Sequence, residues 1–438
     1  MRPFYFMVPF WGERYRNYFL DYCLASMLAP NNLGLLRAAD GHRFLIATTR
    51  ADWQAIEHSP LMEKLRAHAT PTLVEIDNLE TSAYTATIWR QNACQKKLVE
   101  IAFRDRVYGC LVFPDIIVSD GMVASFLRSI QAGHRVVLCA ALRQTQETVL
   151  AELDSLGYLP ADARPALTGK PVTIPPRVVA DLAVRHLHWE VAAFEEGGAN
   201  QPYIAPFRFW RIEGGRGIIL LCVLANPMFF DYGAIDTHDT ACLDDDILEN
   251  IYIGRNFPHG GVHVVQDSDE IGILSLTPAA IGQRHPPAER PSWAWFKKID
   301  QRCSLRQSMA VYARRRRDTV RRDLFLLPIR WHSGDLDEVW KRAEQQIETL
   351  IDSAVGDYAQ CATGAVARNF PPFPSRDSKY LPIDIAICVA HETLLLRLGY
   401  LAKALGGDRR EWARIGRRIG KIAVRCRTIV TRAMGRIF

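Results

Sequence analysis

The sequence predicts an α/β protein: a mostly parallel sheet sandwiched by helices, followed by an all-helical C-terminal extension. Three observations carry this. Short apolar runs alternate with helical spacings through the first third of the chain, the pattern of a sheet covered on both faces. The stretch Tyr108 to Gly121 reads as a buried strand with a carboxylate, Asp115, at its carboxyl end, which either faces a ligand crevice or only hydrogen-bonds its own turn. From Trp293 onward the spacing is helical throughout, beyond a Pro-rich boundary at Arg284 to Pro291.

The elements follow in order. Pro3 to Pro9 is a strand between prolines, and Trp11-Gly-Glu-Arg14 is the loop after it. Tyr15 to Leu28 has helical spacing and ends in turn chemistry at Ala29-Pro-Asn-Asn. Arg43 to Thr49 is a second strand, with Asp52 capping the helix that follows. Leu61 to His68 is helical, Thr72 to Ile76 is a third strand, and Ser82 to Arg104 is one long helix. After the central strand, Met122 to Ile130 is helical and Val136 to Leu142 is another strand. Thr145 to Leu156 and Pro176 to Trp189 read as helices, separated by a Pro-rich irregular segment. Gly214-Gly-Arg-Gly217 is a hairpin turn before the apolar strand Ile218 to Leu224. Two acid-rich patches come next, around Asp236 to Asp246 and Asp267 to Glu270, and Ile271 to Leu276 resumes as a strand. Helices are expected over 303–325, 335–355, 382–406 and 408–437.

The 438 residues allow two or three domains at roughly 150 residues each. The composition suggests 1–285 as an α/β body, 286–375 as a helical extension and 376–438 as basic amphipathic helices. Ten cysteines without a Cys-x-x-Cys pair argue against a disulfide framework or zinc ribbon and for a reducing compartment. The aromatic start does not read as a signal peptide, and no long uncharged apolar run reads as membrane-spanning. Net charge is +6, but Arg397 to Phe438 alone carries +10, leaving −4 for the rest. In that tail Arg410, Arg414, Arg417, Arg418 and Lys421 run beside Trp412, Ile415, Ile419 and Ile422. A basic amphipathic helix points to an anionic membrane surface; packing on the body and nucleic-acid contact are the other readings.

No Gly-x-Gly-x-x-Gly, Walker loop or Gly-x-Ser-x-Gly elbow is present, so dinucleotide, ATP and serine-hydrolase chemistry have no local support. Arg314 to Arg317 with Arg321 and Arg322 reads as a solvated helix face or a contact for an acidic partner. His186 and His188 lack the i, i+4 spacing of helical zinc ligands.

One set of stretches resembles a known family. Pro9-Phe-Trp-Gly12 follows the first strand, Thr48-Thr49 with Asp52 follows the second, and Pro114-Asp-Ile-Ile-Val-Ser-Asp-Gly121 follows the central one. In order and spacing these elements resemble nucleotide-sugar-dependent glycosyltransferases of the Rossmann-like GT-A fold. The resemblance implies that Pro9, Trp11, Gly12, Arg14, Thr48 and Asp52 line the nucleotide pocket and that Asp115 orients the diphosphate. It implies Mn²⁺ or Mg²⁺ on an Asp-x-Asp triplet; here the triplet is Phe113-Pro114-Asp115, so the first acid is missing. Metal ligation by Asp115 then needs other acids to converge, with Asp267 and Asp269 as candidates and His263 beside them. Those two acids equally suit a turn or a cap. The family's catalytic base corresponds to Asp236 or Asp239, which equally suit the cap of a helix running to Leu248.

The expected function is a bacterial, cytoplasmic glycosyltransferase, peripheral on the inner membrane. It moves a sugar from a nucleotide-sugar donor to a lipid-linked or polysaccharide acceptor, and no nucleic-acid partner is expected. The alternative is a catalytically inactive relative that serves as a scaffold or binding protein in an envelope-assembly complex.

Overall fold

The computed structural model describes residues 1–76, 86–159, 162–198, 207–222, 225–244, 252–257, 261–281 and 327–359. The expected helices over 303–325, 382–406 and 408–437, the arginine run at Arg314 to Arg317 and the basic tail lie outside them. Two compact units are recognised, and the described residues other than Tyr358 and Ala359 belong to the one comprising Met1–Arg284 and Trp293–Asp357.

Seven strands form the central sheet: β1 (Phe4–Pro9), β2 (Arg43–Thr48), β3 (Thr70–Glu75), β4 (Tyr108–Leu111), β6 (Val136–Ala140), β10 (Ala225–Asp231) and β11 (Val262–Val264). Their order is β11-β6-β10-β4-β1-β2-β3. Six run parallel, and β10 alone is antiparallel to both of its neighbours. Apolar side chains occupy both faces of the inner strands: Phe4, Phe6, Met7 and Val8 of β1 are all fully buried. That is why β1 reads as a continuous apolar run rather than an alternation. The mostly parallel sheet expected from the sequence is therefore present.

Helices cover the sheet. The first, α1, is composite: α-helical over Glu13–Tyr18, a π segment over Phe19–Leu24 and a last turn over Ala25–Met27. Helix α2 (Arg50–Ile56) follows β2, α3 (Pro60–His68) precedes β3, and α4 (Ala86–Arg104) leads back to β4. The cap of α2 is Thr49, whose hydroxyl accepts from the Asp52 amide; Asp52 sits in the first turn, not at the cap position expected for it. Close packing fixes one glycine in β4. A Cβ on Gly109 would lie 2.4 Å from the Tyr232 ring, so the strand and the chain after β10 meet only because that side chain is absent.

A second, three-stranded sheet has the order β5 (Ile116–Val118), β12 (Ile273–Thr277), β7 (Arg143–Thr145). It begins where β4 ends, and the Leu276 amide donates to the Asp115 carbonyl at 2.8 Å. Helix α5 (Met122–Gln131) leaves β5, α6 (Gln146–Ser155) leaves β7, and α7 (Pro176–Arg185) follows further on. A third sheet is antiparallel, with the order β13 (Ile329–His332), β9 (Gly217–Cys222), β8 (Phe207–Arg211). The hairpin expected at Gly214 to Gly217 joins β8 to β9. Strand β13 interrupts the expected all-helical stretch after Trp293, and it belongs to the same compact unit as the main sheet. Helix α8 (Glu338–Ala359) then matches the helix expected over 335–355.

Candidate functional site

A parallel sheet places ligands beyond the carboxyl ends of its strands, at the point where strand order reverses. Here β1, β2 and β3 advance in one direction and β4 lies on the other side of β1, so the reversal falls between β1 and β4. The segments leaving those two strands are Phe10 to Arg14 and Val112 to Asp115.

Asp115 is partly exposed, and among the described residues its carboxylate is bonded only by its own backbone amide. Burial pushes its pKa up, while its own backbone amide, Arg143 and Arg14 pull the other way. Both arginines are therefore within electrostatic reach. Arg14 lies on α1; its Nε and Nη2 donate to the Tyr18 hydroxyl at 3.2 and 3.1 Å, and that hydroxyl donates to Gln146 of α6. Arg143 heads β7 and pairs with Glu190 at 3.0 Å, with just over half of its side chain exposed. Tyr15 is exposed beside them. Burial and the Asp115 charge raise its phenol pKa. The result is a carboxylate bonded only to its own backbone among the described residues, standing among two cations and a phenol at the reversal point.

The neighbouring predicted residues are placed as follows. Pro9 closes β1, and Trp11 carries the Arg90 guanidinium 4.9 Å above its ring. Gly12 has φ of +81°, a backbone conformation that side chains disfavour. Its amide donates to Asp52 Oδ2 at 2.8 Å. Asp52 also accepts from the Thr49 hydroxyl at 2.8 Å and pairs with Arg16 at 3.0 Å. Thr48 is wholly buried at the end of β2, and its hydroxyl has no partner. Pro9, Trp11, Gly12, Arg14, Thr48, Asp52 and Asp115 thus gather at one rim, although Asp52 faces protein partners and offers no free oxygen.

Asp236 and Asp239 are elsewhere. Because β10 runs antiparallel, it delivers the chain to the opposite rim: Asp231 at its end pairs with Tyr108 at the start of β4. Asp236 there meets Arg106, the residue before Val107 and β4, at 3.4 Å and is otherwise solvated. Asp239 accepts from the Ala241 amide and pairs with Arg255 at 2.7 Å, which holds its carboxyl below the usual range. The structure does not bring either acid near Asp115.

Asp267 and Asp269 follow β11 on the same rim as Asp115 but three strand spacings away, about 14 Å. With His332 they offer three ligand atoms within 4.8 Å of one another, a group that could hold a divalent metal. Its charges are already matched by protein. His332 Nε2 lies 2.8 Å from Asp267, and Arg177 grips Asp269 at 3.1 to 3.2 Å and Asp335 at 2.8 Å. His263 belongs to another cluster, against Glu270 at 2.9 Å. Among the described residues, no group of three metal-ligating side chains includes Asp115. The expected convergence of Asp115 with Asp267 and Asp269 does not occur, and the donor set at Asp115 does not fit a protein-held metal.

His186 contacts Glu152 and Thr148, while buried His188 accepts from the Glu190 amide; among the described residues neither belongs to a group of three metal-ligating side chains. Sequence reasoning missed Arg143 and His332. Arg143 had a usable signal, a basic residue just past the apolar run Val136 to Leu142. His332 had none, since its partner Asp267 is 65 positions away.

Among the described residues no helix is long and apolar enough to cross a membrane. No protein-family model matches the chain, and no curated protein matches it. Among solved structures, parts of the chain are similar to S. aureus TarS. One TarS structure matches at 11% identity and a TM-score of 0.21, covering 32% of this chain and 22% of that one. Another, of TarS 1-349, matches at 10% identity and a TM-score of 0.23, covering 42% and 64%. The chain spans less than two thirds of either, and a likeness at these scores carries no argument.

Proposed function

We propose that the chain is a nucleotide-sugar-dependent glycosyltransferase whose donor site lies at the reversal between β1 and β4. The observation that carries this reading is Asp115: of the six candidate acids, it alone has a carboxylate that no other described residue bonds or pairs with, and it stands at the strand ends where ligands bind. Asp52, Asp236, Asp239, Asp267 and Asp269 are all engaged by protein.

The chemistry assigned to the site uses this chain's own residues. The acceptor hydroxyl attacks the anomeric carbon as the bond to the nucleoside diphosphate breaks. Asp115 takes the hydroxyl proton; burial raises its pKa toward the range where a carboxylate is an effective base. Arg14 and Arg143 offset the charge growing on the diphosphate, as preorganised cations do in place of a metal. A divalent ion has no part in this reading, because among the described residues no second acid joins Asp115. The acceptor is lipid-linked or polysaccharide on this reading, with the basic tail holding the chain to an anionic membrane surface; both rest on the sequence.

The engagement of the remaining acids favours one second reading, an inactive binding relative. Isothermal titration with UDP, GDP and CMP, with and without Mn²⁺, tests the first step common to both. The proposal expects binding of at least one nucleoside diphosphate, little changed by Mn²⁺ and abolished by Arg14→Ala combined with Arg143→Ala. A folded sample that binds none of them overturns it. Transfer to water or a glycan from the donor that binds then separates enzyme from scaffold.

A further inference from the structure

The sequence places Asp52 in the nucleotide pocket, yet its carboxylate points back into the protein. Oδ2 accepts from the Gly12 amide and the Thr49 hydroxyl, both at 2.8 Å, and Oδ1 faces Arg16 at 3.0 Å. The side chain is only 8% exposed. The Asp52 amide donates to Thr49 Oγ1 at 3.1 Å, which closes a reciprocal pair of the capping-box kind. One carboxylate therefore ties three pieces together: the turn after β1, the first helix and the start of α2.

Its grip falls on the residue where the turn is decided. Gly12 sits at φ +81° and ψ 156°, and no atom lies within 4 Å of a Cβ built on it. Packing does not hold that backbone. The hydrogen bond from its amide to Asp52 does, together with the first helical bond, in which its carbonyl accepts from the Arg16 amide at 3.0 Å. Trp11 precedes this point and Arg14 follows two residues later, so the direction in which both leave depends on it.

We propose that Asp52 is a positioning residue: it binds no ligand and fixes the Trp11–Arg14 turn so that Arg14 meets the diphosphate. The second half of this statement rests on the donor site proposed above; the first half does not. Hydrogen exchange in the absence of any nucleotide tests the first half. Asp52→Asn, and separately Thr49→Val, are expected to speed exchange at the Gly12 to Arg16 amides at least tenfold while amides of β1 and β2 keep their rates. Thr49→Val serves because it loosens Asp52 without touching its charge. Unchanged exchange in both variants overturns the proposal, whatever the protein binds.

Titration with uridine and UDP tests the second half. The positioning role predicts that both variants lower affinity for UDP severalfold and lower that for uridine less, since the diphosphate depends on Arg14 while the nucleoside draws on Trp11 alone of the turn. An equal loss for uridine would make Asp52 a direct ligand and overturn the role. If the wild type binds neither probe, the donor site fails while the exchange result still decides the first half.

Discussion

Replacing Asp115 with Asn is expected to stabilise the fold and remove its function. In the folded chain this carboxylate is partly withdrawn from water, is bonded among the described residues only by its own backbone amide, and burial raises its pKa. A group whose folded pKa exceeds its unfolded one is penalised when ionised. Stability therefore falls as pH rises from the unfolded carboxylate value through the folded one, and the penalty is complete above it. An unsatisfied buried polar group costs about 1–3 kcal/mol. Asp115 keeps some contact with solvent and has two arginines within reach, so the low end applies, about 1 kcal/mol. That corresponds to a rise in Tm of roughly 1 °C for a unit of about 350 residues. Thermal unfolding followed by circular dichroism at pH 7 and pH 4 checks it. Asp115→Asn melts higher at pH 7, and the difference shrinks at pH 4, where the wild-type carboxyl takes up its proton. A variant less stable than wild type at pH 7 would mean that Arg14 and Arg143 hold Asp115 as a stabilising ion pair. The view of a carboxylate penalised by burial would then be wrong.

Three further outcomes follow from the packing and charge around the sheets. His332 donates to the Gly334 carbonyl and faces Asp267; burial opposes its charge, but these partners outweigh it and raise its pKa. Its contribution is thus full below the unfolded histidine value near ~6.5 and lost as pH rises through the higher folded value, and urea unfolding of His332→Gln against wild type across that window should lose the slope. Arg208 and Glu196 pair at 2.8 Å with side chains only 2% and 3% exposed, so Arg208→Ala should cost about 3–5 kcal/mol in urea unfolding. Asp236→Asn and Asp239→Asn, on the opposite rim, should leave nucleotide affinity within twofold of wild type by titration; a tenfold loss would reassign them to the site.

Local chemistry was legible where one segment decides it. Apolar runs bounded by prolines and turns gave β1, β2 and β4, and Asp115 at a strand end followed from them. The strands β7 and β13 were not legible: Arg143-Gln-Thr145 and Ile329-Arg-Trp-His332 are too short and too charged to show periodicity. The acids failed for a different reason. Which rim Asp236 and Asp239 occupy depends on β10 running against its neighbours, and strand direction leaves no mark on side-chain spacing. Asp52 was recognised as a cap-type residue, yet its contact with Gly12 spans 40 positions and appears only once β1 and β2 are paired.

Hydrogen exchange of the full chain with and without saturating UDP or GDP, whichever binds, reads the location of the donor site most directly. The account predicts slowed exchange in residues 9–16, 111–117 and 143–146, the segments that leave β1 and β4 and carry Arg143. Protection confined to 233–244, or to 266–270 with 330–335, would place the ligand on one of the other acid groups and contradict it.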